Sequence, residues 1–146
     1  MQRVYSQVLP GMRTETGRIL RNWDYTSIVV TGQEVMGGCT FKYHRYESFI
    51  ELTLLGVAWS CQEFGLGSSI IESLKLHASV KDFSTIVTYA DNNAVAFFKK
   101  QGFEPLVPTD TTYELVKSTI VACCKSTLMH VTVPLKVQPT VSETFC

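Results

Sequence analysis

The sequence has no excess of charge of either sign, because 13 basic and 13 acidic residues give a formal net charge of zero over 146 residues. A net charge of zero excludes a domain that binds polyanions through bulk charge, although it is compatible with a local basic patch. No apolar run approaches the roughly 20 residues that a membrane span requires, and residues 1–13 lack the compact apolar stretch of a signal peptide. We therefore expect a soluble intracellular protein without a direct nucleic-acid site and without a membrane anchor.

The five cysteines show no metal-binding spacing, since none forms a Cys-x-x-Cys pair and two of them, Cys123 and Cys124, are adjacent. This pattern is typical of reduced thiols in an intracellular protein. The three histidines, His44, His77 and His130, are scattered, and we expect neither a catalytic nor a metal-binding role for them. The sequence therefore predicts no metal site.

The apolar content is sufficient for one domain with a real core, at 45% hydrophobic and 18% charged residues. Periodicity and turn residues predict helices and strands in alternation around one sheet, hence an α/β (α+β) fold. The predicted helices are residues 1–12, 14–22, 65–80 and 91–101. The predicted strands are residues 26–31, 34–45, 49–59, 84–89 and 127–137, and residues 109–121 are predicted as a strand or a helix–strand mixture.

Three stretches predict specific local geometry. The first two strands should pair as an antiparallel hairpin, with a bulge or a close backbone approach at Gly37 and Gly38. Residues 49–59 are apolar on both faces, which is typical of a central strand, and strict alternation places Glu51, Leu55 and Val57 on one face. The last predicted helix should be capped by Asp91 or Asn92 and should end at a Schellman-type turn at Gly102. Along the helix from residue 65, the apolar stripe comprises Ile70, Ile71, Leu74, His77 and Val80.

Two chemical signals lie within residues 51–67. Glu51 begins the doubly apolar strand, where burial would raise the pKa of its carboxyl group towards neutrality and suit it to act as a base. The segment Gln62-x-x-Gly65-x-Gly67 precedes a helix, and such a glycine loop can present backbone N–H groups to a phosphate. Taken alone, a strand-end glutamate is more often solvated, and a glycine pair at a helix start is more often a plain turn.

The two signals occur together with the strings Tyr89-Ala-Asp-Asn92 and Phe98-Lys-Lys-Gln-Gly-Phe103. This combination resembles the GNAT acetyltransferase superfamily and, within it, the PCAF-like nuclear histone acetyltransferases. The resemblance covers residues 1–136 as one GNAT domain, with its motif core in residues 49–103 and a frayed tail in residues 137–146. It implies a mixed, mostly antiparallel central sheet flanked by helices, from which the family's first strand is expected to be missing. No bromodomain is expected in this chain.

The resemblance also implies a mechanism and a set of site residues. Acetyl-CoA would be the co-substrate, without a metal, and Glu51 would be the general base that activates a substrate lysine for direct attack in a ternary complex. The backbone N–H of Leu55 would contact the thioester carbonyl. The implied cofactor-binding residues are Leu55, Gly56, Val57, Gln62, Glu63, Phe64, Gly65, Leu66, Gly67, Ser68, Ala94 and Phe97. The implied substrate-binding residues are Tyr89, Ala90, Asp91 and Asn92.

The implied partners are a histone tail peptide as substrate and a multi-subunit coactivator complex, with a nuclear location. The chain departs from the family pattern at Phe64, where a basic residue is usual, at Leu55, where cysteine is frequent, and at Phe97, where tyrosine is frequent. Two other functions stay open. One is a small-amine or protein N-terminal acetyltransferase of the same fold, and the other is a catalytically weak acetyl-CoA-binding or scaffold module.

Overall fold

The computed structural model describes residues 25–31, 34–62 and 64–135. Its strands are β1 (Tyr25–Thr31), β2 (Glu34–His44), β3 (Phe49–Val57), β4 (Thr85–Asp91), β5 (Glu104–Pro105) and β6 (Ser126–Thr132). Its α-helices are α1 (Leu66–Val80), α2 (Val95–Lys100) and α3 (Tyr113–Thr119), and a short 3-10 helix spans Trp59–Cys61. The predicted helices before residue 25, the expectation of a missing first strand and the predicted tail after residue 136 lie outside the described residues.

The strands form one six-stranded sheet in the order β1-β2-β3-β4-β6-β5. Every neighbouring pair is antiparallel except β3 and β4, which run parallel. The prediction of a mixed, mostly antiparallel sheet with helices around it is therefore confirmed. The predicted position of β3 in the middle of the sheet is confirmed as well.

The first hairpin forms as predicted, with β1 and β2 antiparallel and a register shift between the pairs Val29–Gly37 and Val30–Val35. Gly37 lies against β3 so closely that a Cβ atom at this position would stand 2.7 Å from the carbonyl oxygen of Gly56. Only glycine allows this separation, because real Cβ contacts are longer. Strands β2 and β3 are thereby held close together near Gly56, shortly before the chain enters the glycine loop.

The strict alternation predicted along β3 is wrong, because the strand contains a bulge. Thr40 pairs with Leu54 while the next residue, Phe41, pairs with Leu52, so β3 carries one extra residue, Thr53. An extra residue reverses the faces of the side chains that follow it. Ile50 and Leu52 therefore share the main core with Leu55 and Val57, while Glu51 points to the other face.

The parallel pairing of β3 with β4 ends early. It covers only the residue pairs from Phe49–Thr85 to Leu52–Thr88, although β3 continues to Val57 and β4 to Asp91. At the last pair, the buried hydroxyl of Thr88 donates a hydrogen bond of 2.9 Å to the carbonyl oxygen of Leu52. Beyond this point the two strands no longer pair, and among the described residues no other strand pairs with the edge of β3 that faces β4.

The two faces of the sheet carry separate cores. The main core contains residues from β2, β3, β4, β6 and α1, among them Ile70, Ile71, Leu74 and Ala78. The predicted stripe of α1 is thus confirmed at Ile70, Ile71 and Leu74, but Val80 is exposed and Ala78 takes the buried position one turn after Leu74. On the other face, α3 contributes Val116 to a cluster of six buried residues: Phe49, Val87, Leu106, Val116, Ile120 and Leu128.

Helix α2 ends in the predicted Schellman motif. The N–H of Phe103 donates to the carbonyl of Phe98, the N–H of Gly102 donates to the carbonyl of Lys99, and Gly102 has a φ of 90°. The rings of Phe98 and Phe103 make the accompanying apolar contact at 5.1 Å between centroids.

The predicted cap at the start of α2 is wrong. Asp91 ends β4 and its carboxylate accepts the N–H of Asn93 at 2.6 Å, within a turn that precedes the helix. The helix itself begins at Val95, with Ala94 at the cap position and no side-chain cap. Aspartate satisfies the nearest N–H available, and here the chain turns once before it becomes helical.

Replacement of Gly102 tests the turn that ends α2. A Cβ atom at this position would meet its neighbours only at 3.9 Å, so the cost of Gly102→Ala arises from the positive φ rather than from a clash. We expect Gly102→Ala to lower the free energy of unfolding by about 1–2 kcal/mol, and Gly102→Asn to lower it less, because asparagine tolerates this conformation better. Urea unfolding of the three proteins measures the difference, and equal midpoints would contradict the interpretation.

Candidate functional site

The open edge of β3 offers backbone groups to an extended ligand. Ala58 donates its N–H to the carbonyl of Met36 on β2 at 2.7 Å. Because successive residues of a strand direct their hydrogen-bonding groups to opposite sides, the N–H groups of Val57 and Leu55 point away from β2, towards the gap left by β4. Leu55, Gly56 and Val57 thus lie along the part of β3 that β4 does not pair with.

The glycine loop lies at the end of this edge. The side-chain amide of Gln62 donates to the carbonyl of Val57 at 3.0 Å, which ties the loop back to β3. Gly65 has a φ of 75°, in the left-handed region, and immediately precedes the 15-residue helix α1. The first N–H groups of α1 have no partner within the helix, and the helix dipole adds partial positive charge there. The loop is therefore suited to an anionic group.

The residues at the start of α1 also fix its contact with α2. A Cβ atom on Gly67 would lie 3.3 Å from the ring of Phe97, so glycine lets the two helices approach closely at this point. The hydroxyl of Ser68 accepts a hydrogen bond of 2.9 Å from the side-chain amide of Gln101, just beyond α2. Leu66, Ala94 and Phe97 are half-buried against the main core. Phe64 is 83% exposed, and Glu63 lies outside the described residues.

Glu51 lies where β3 is still paired on both sides, opposite Lys42 on β2 and Val87 on β4. Its side chain is only 17% exposed, and its carboxylate oxygen Oε2 is 3.7 Å from Nε2 of His44. Burial raises the pKa of the Glu51 carboxyl group above its ordinary value, while His44 and, to a smaller extent, Lys42 oppose this increase. A carboxylate in this environment holds a proton more readily than a solvated glutamate does.

The segment Tyr89-Ala-Asp-Asn92 follows the divergence on the β4 side. Tyr89 is half-buried, and its hydroxyl is buried without a hydrogen-bond partner among the described residues. Ala90 belongs to the main core, so it can offer a ligand its backbone but not its side chain. Asp91 and Asn92 are exposed. The segment and the open edge of β3 therefore form the two sides of the gap in the sheet.

Three residues of this region were not identified from the sequence. Thr88 and Gln101 support the divergence and the helix contact through single hydrogen bonds, for which a sequence gives no signal. His44 was set aside as one of three scattered histidines. A signal for it exists, because in the hairpin of β2 and β3 it is the diagonal neighbour of Glu51, two residues from Lys42.

The described residues contain no group of histidine, cysteine, aspartate or glutamate side chains that could hold a metal ion. Within residues 25–31, 34–62 and 64–135, none of the helices has the length and apolar character that a membrane crossing requires.

The fold and the gap define a class of protein: a mixed α/β domain whose sheet opens between two parallel central strands, with a glycine loop and a helix start at one side of the opening. The sequence profile of the Acetyltransferase (GNAT) domain family matches residues 23–105. The chain therefore belongs to the GNAT acetyltransferase family.

Individual relatives agree with this assignment. Histone acetyltransferase GCN5 of Oryza sativa subsp. japonica is 32% identical over 113 residues, which are 75% of this chain and 22% of that protein. The chain thus spans about a fifth of the length of this relative. The crystal structure of Tetrahymena GCN5 matches with a TM-score of 0.81 at 27% identity, covering 93% of this chain and 86% of that one. The catalytic domain of Tetrahymena GCN5 histone acetyltransferase in complex with coenzyme A matches with a TM-score of 0.73 at 26% identity, covering 94% of this chain and 84% of that one.

Proposed function

We propose that this domain transfers the acetyl group of acetyl-CoA to the ε-amine of a lysine in a histone tail. The observation that carries the proposal is the early end of the β3–β4 pairing beside the buried carboxylate of Glu51. It leaves an open backbone edge and a base on the same strand. The relatives named histone acetyltransferase and the related structure that contains coenzyme A support the choice of reaction and of co-substrate.

The residues of the gap fit acetyl-CoA as a substrate. The N–H groups of Leu55 and Val57 face the gap, so they would bind the pantetheine arm as a neighbouring strand would. The backbone of residues 62–68 would hold the pyrophosphate at the start of α1, where N–H groups and the helix dipole favour an anion. Ala94 and Phe97 would pack against the thiol end and the arm.

The base is required because the nucleophile is protonated at neutral pH. A free lysine has a pKa of about 10.4, so its ammonium group must lose a proton before the nitrogen can attack. Glu51 would accept this proton, through a water molecule, and its raised pKa suits this role. The neutral amine would then attack the thioester carbonyl. The N–H of Leu55 would donate a hydrogen bond to the oxygen on which negative charge develops.

The substrate peptide would bind along the other side of the gap. Tyr89, Asp91 and Asn92 would border its groove, with Ala90 contributing backbone only, because its side chain lies in the core. A multi-subunit coactivator complex in the nucleus is the setting that the histone acetyltransferase assignment implies.

One observation favours a second candidate function, a weak acetyl-CoA-binding or scaffold module. Phe64 is 83% exposed within the loop proposed for the pyrophosphate, and it offers no charge to that group. Buried Glu51 argues against this alternative, because a binding module has no need of a desolvated base.

A panel of acceptors tests the substrate class. We expect faster acetylation of histone-tail peptides that contain lysine than of polyamines or of peptides whose only amine is the N-terminus, since an extended groove binds the residues around the lysine. Release of CoA thiol measures the rate for each acceptor. Preference for small amines would replace the proposed substrate with the same-fold alternative.

Replacement of the base tests the mechanism. We expect Glu51→Gln to bind acetyl-CoA as the wild type does but to lose about 10²- to 10⁴-fold in turnover at neutral pH, with partial recovery at high pH, where the amine is already neutral. Calorimetry gives the binding and single-turnover kinetics give the rate. Glu47→Gln, the same change in the turn before β3, is the control. Equal rates for wild type and Glu51→Gln would remove Glu51 from the mechanism.

Replacement of Phe64 tests the loop. We expect Phe64→Lys to raise the affinity for acetyl-CoA by no more than about five-fold at low salt, because an exposed ion pair contributes about 0.2–1 kcal/mol. The gain should disappear at high salt. Leu76→Lys, which also places lysine at an exposed apolar position of this part of the chain, is the control. An equal gain in the control would show that the loop is not the pyrophosphate site.

A further inference from the structure

His44 stands next to the proposed base in a fixed orientation. It pairs with Phe49 across the hairpin of β2 and β3, and the two rings are 4.6 Å apart between centroids. This contact holds the imidazole over β3, with Nε2 3.7 Å from Oε2 of Glu51. The side chains of His44 and Glu51 are 11% and 17% exposed, respectively.

The nitrogen that faces Glu51 has no hydrogen-bond partner within the part of the chain that the structure describes, and it is buried. A buried polar atom without a partner costs about 1–3 kcal/mol, so its position calls for an explanation. Hydrogen bonds between nitrogen and oxygen measure about 2.7–3.2 Å, so a movement of about 0.5–1 Å would join the two groups. A small rotation of the Glu51 side chain is sufficient for this.

We propose that His44 is a positioning residue for Glu51, whose imidazole donates a hydrogen bond from Nε2 that orients the carboxylate. The pairing itself rests on the geometry, and its consequence for catalysis rests on the function proposed above. When Glu51 takes a proton from the substrate amine, an N–H bond breaks and an O–H bond forms. The hydrogen bond from His44 favours the carboxylate over the protonated form, so it keeps Glu51 able to accept this proton.

The other charged groups around the pair are known from the strand register. Lys42 lies directly opposite Glu51 on β2. On the other side, the row continues through Val87 on β4 to His130 on β6 and Glu104 on β5, so these two are separated from Glu51 by at least one strand. The guanidinium of Arg45 lies over the ring of Tyr43, 5.0 Å from its centroid. His44 is thus a direct neighbour of Glu51, whereas His130 and Glu104 lie beyond β4.

The direction in which a replacement of His44 should shift the pKa of Glu51 follows from the two opposing effects on that pKa. Burial raises the pKa of its carboxyl group and His44 opposes that increase. A phenyl ring in place of the imidazole keeps the burial and removes the opposition, so the pKa of Glu51 should rise further. The rate depends on the deprotonated carboxylate, so its rise with pH should move to higher pH. At pH values below both midpoints, each unit of movement lowers the rate about ten-fold.

Two variants and one control test this proposal. His44→Phe preserves the ring contact with Phe49, and His44→Gln keeps a hydrogen-bond donor without an imidazole. His130→Phe makes the same exchange one strand beyond β4 and should leave the midpoint of Glu51 in place. The readouts are the carboxyl ¹³C resonance of Glu51, assigned by its loss in Glu51→Gln, and the pH profile of turnover with a histone peptide.

We expect the Glu51 midpoint and the acid limb of the rate profile to move together to higher pH in His44→Phe, with a smaller shift in His44→Gln. A Glu51 midpoint that stays in place in His44→Phe overturns the proposal, and so does a rate that falls equally at all pH values, which is what a purely structural role would produce. The carboxyl resonance is independent of turnover. A midpoint that moves in a protein without acetyl transfer therefore supports the pair while rejecting the proposed function.

Discussion

The site depends on one constraint, which is that β3 and β4 stop pairing at Leu52 and Thr88 while each keeps its other neighbour. β3 is held by β2 along its whole length, and β4 is held by β6 from Thr85 to Asp91. A strand at the edge of a sheet is usually a liability because it can pair with another chain. Here the open edge lies inside the sheet and is supported on both outer sides. The pairing of β3 and β4 therefore ends between two strands that are each held by another neighbour, and neither of them becomes an edge strand of the described sheet.

The bulge at Thr53 explains how β3 can carry Glu51 on one face of the sheet and the side chains of Leu55 and Val57 on the other. Before the bulge, Ile50 and Leu52 face the main core and Glu51 faces the opposite side. After it, Leu55 and Val57 turn their side chains to the main core. Their N–H groups lie in the plane of the sheet and point into the gap. A continuous alternation would have placed Leu55 and Val57 on the face of Glu51 and removed them from the core next to α1.

Local features of the fold were predictable from the sequence, and features decided across strands were not. The turn at Gly102, the hairpin of β1 and β2 and the close approach at Gly37 each depend on a few neighbouring residues with restricted conformations. The bulge at Thr53 depends on which residues of β2 face β3, and single-strand periodicity does not contain this information. The cap at Asp91 failed for a related reason, since the chain turns before α2 begins. For the proposed site, Glu51 and the glycine loop were identified through the spacing of several motifs together, whereas Thr88 and His44 act through single contacts between segments.

The environment of Glu51 shows why a buried carboxylate that is proposed to act as a base needs a charged neighbour as well as an apolar surrounding. Desolvation alone can only raise the pKa of a carboxyl group. A carboxyl group that keeps its proton at neutral pH cannot accept another. The imidazole of His44 and the ammonium of Lys42 act in the opposite direction and keep the charged form accessible. Because Lys42 and His44 are both on β2, the hairpin register that fixes β3 also fixes the electrostatics of its glutamate. The strand pair that stays closed thus places the charged neighbours of Glu51, and the strand pair that opens leaves the backbone edge at which the proposed substrates would bind.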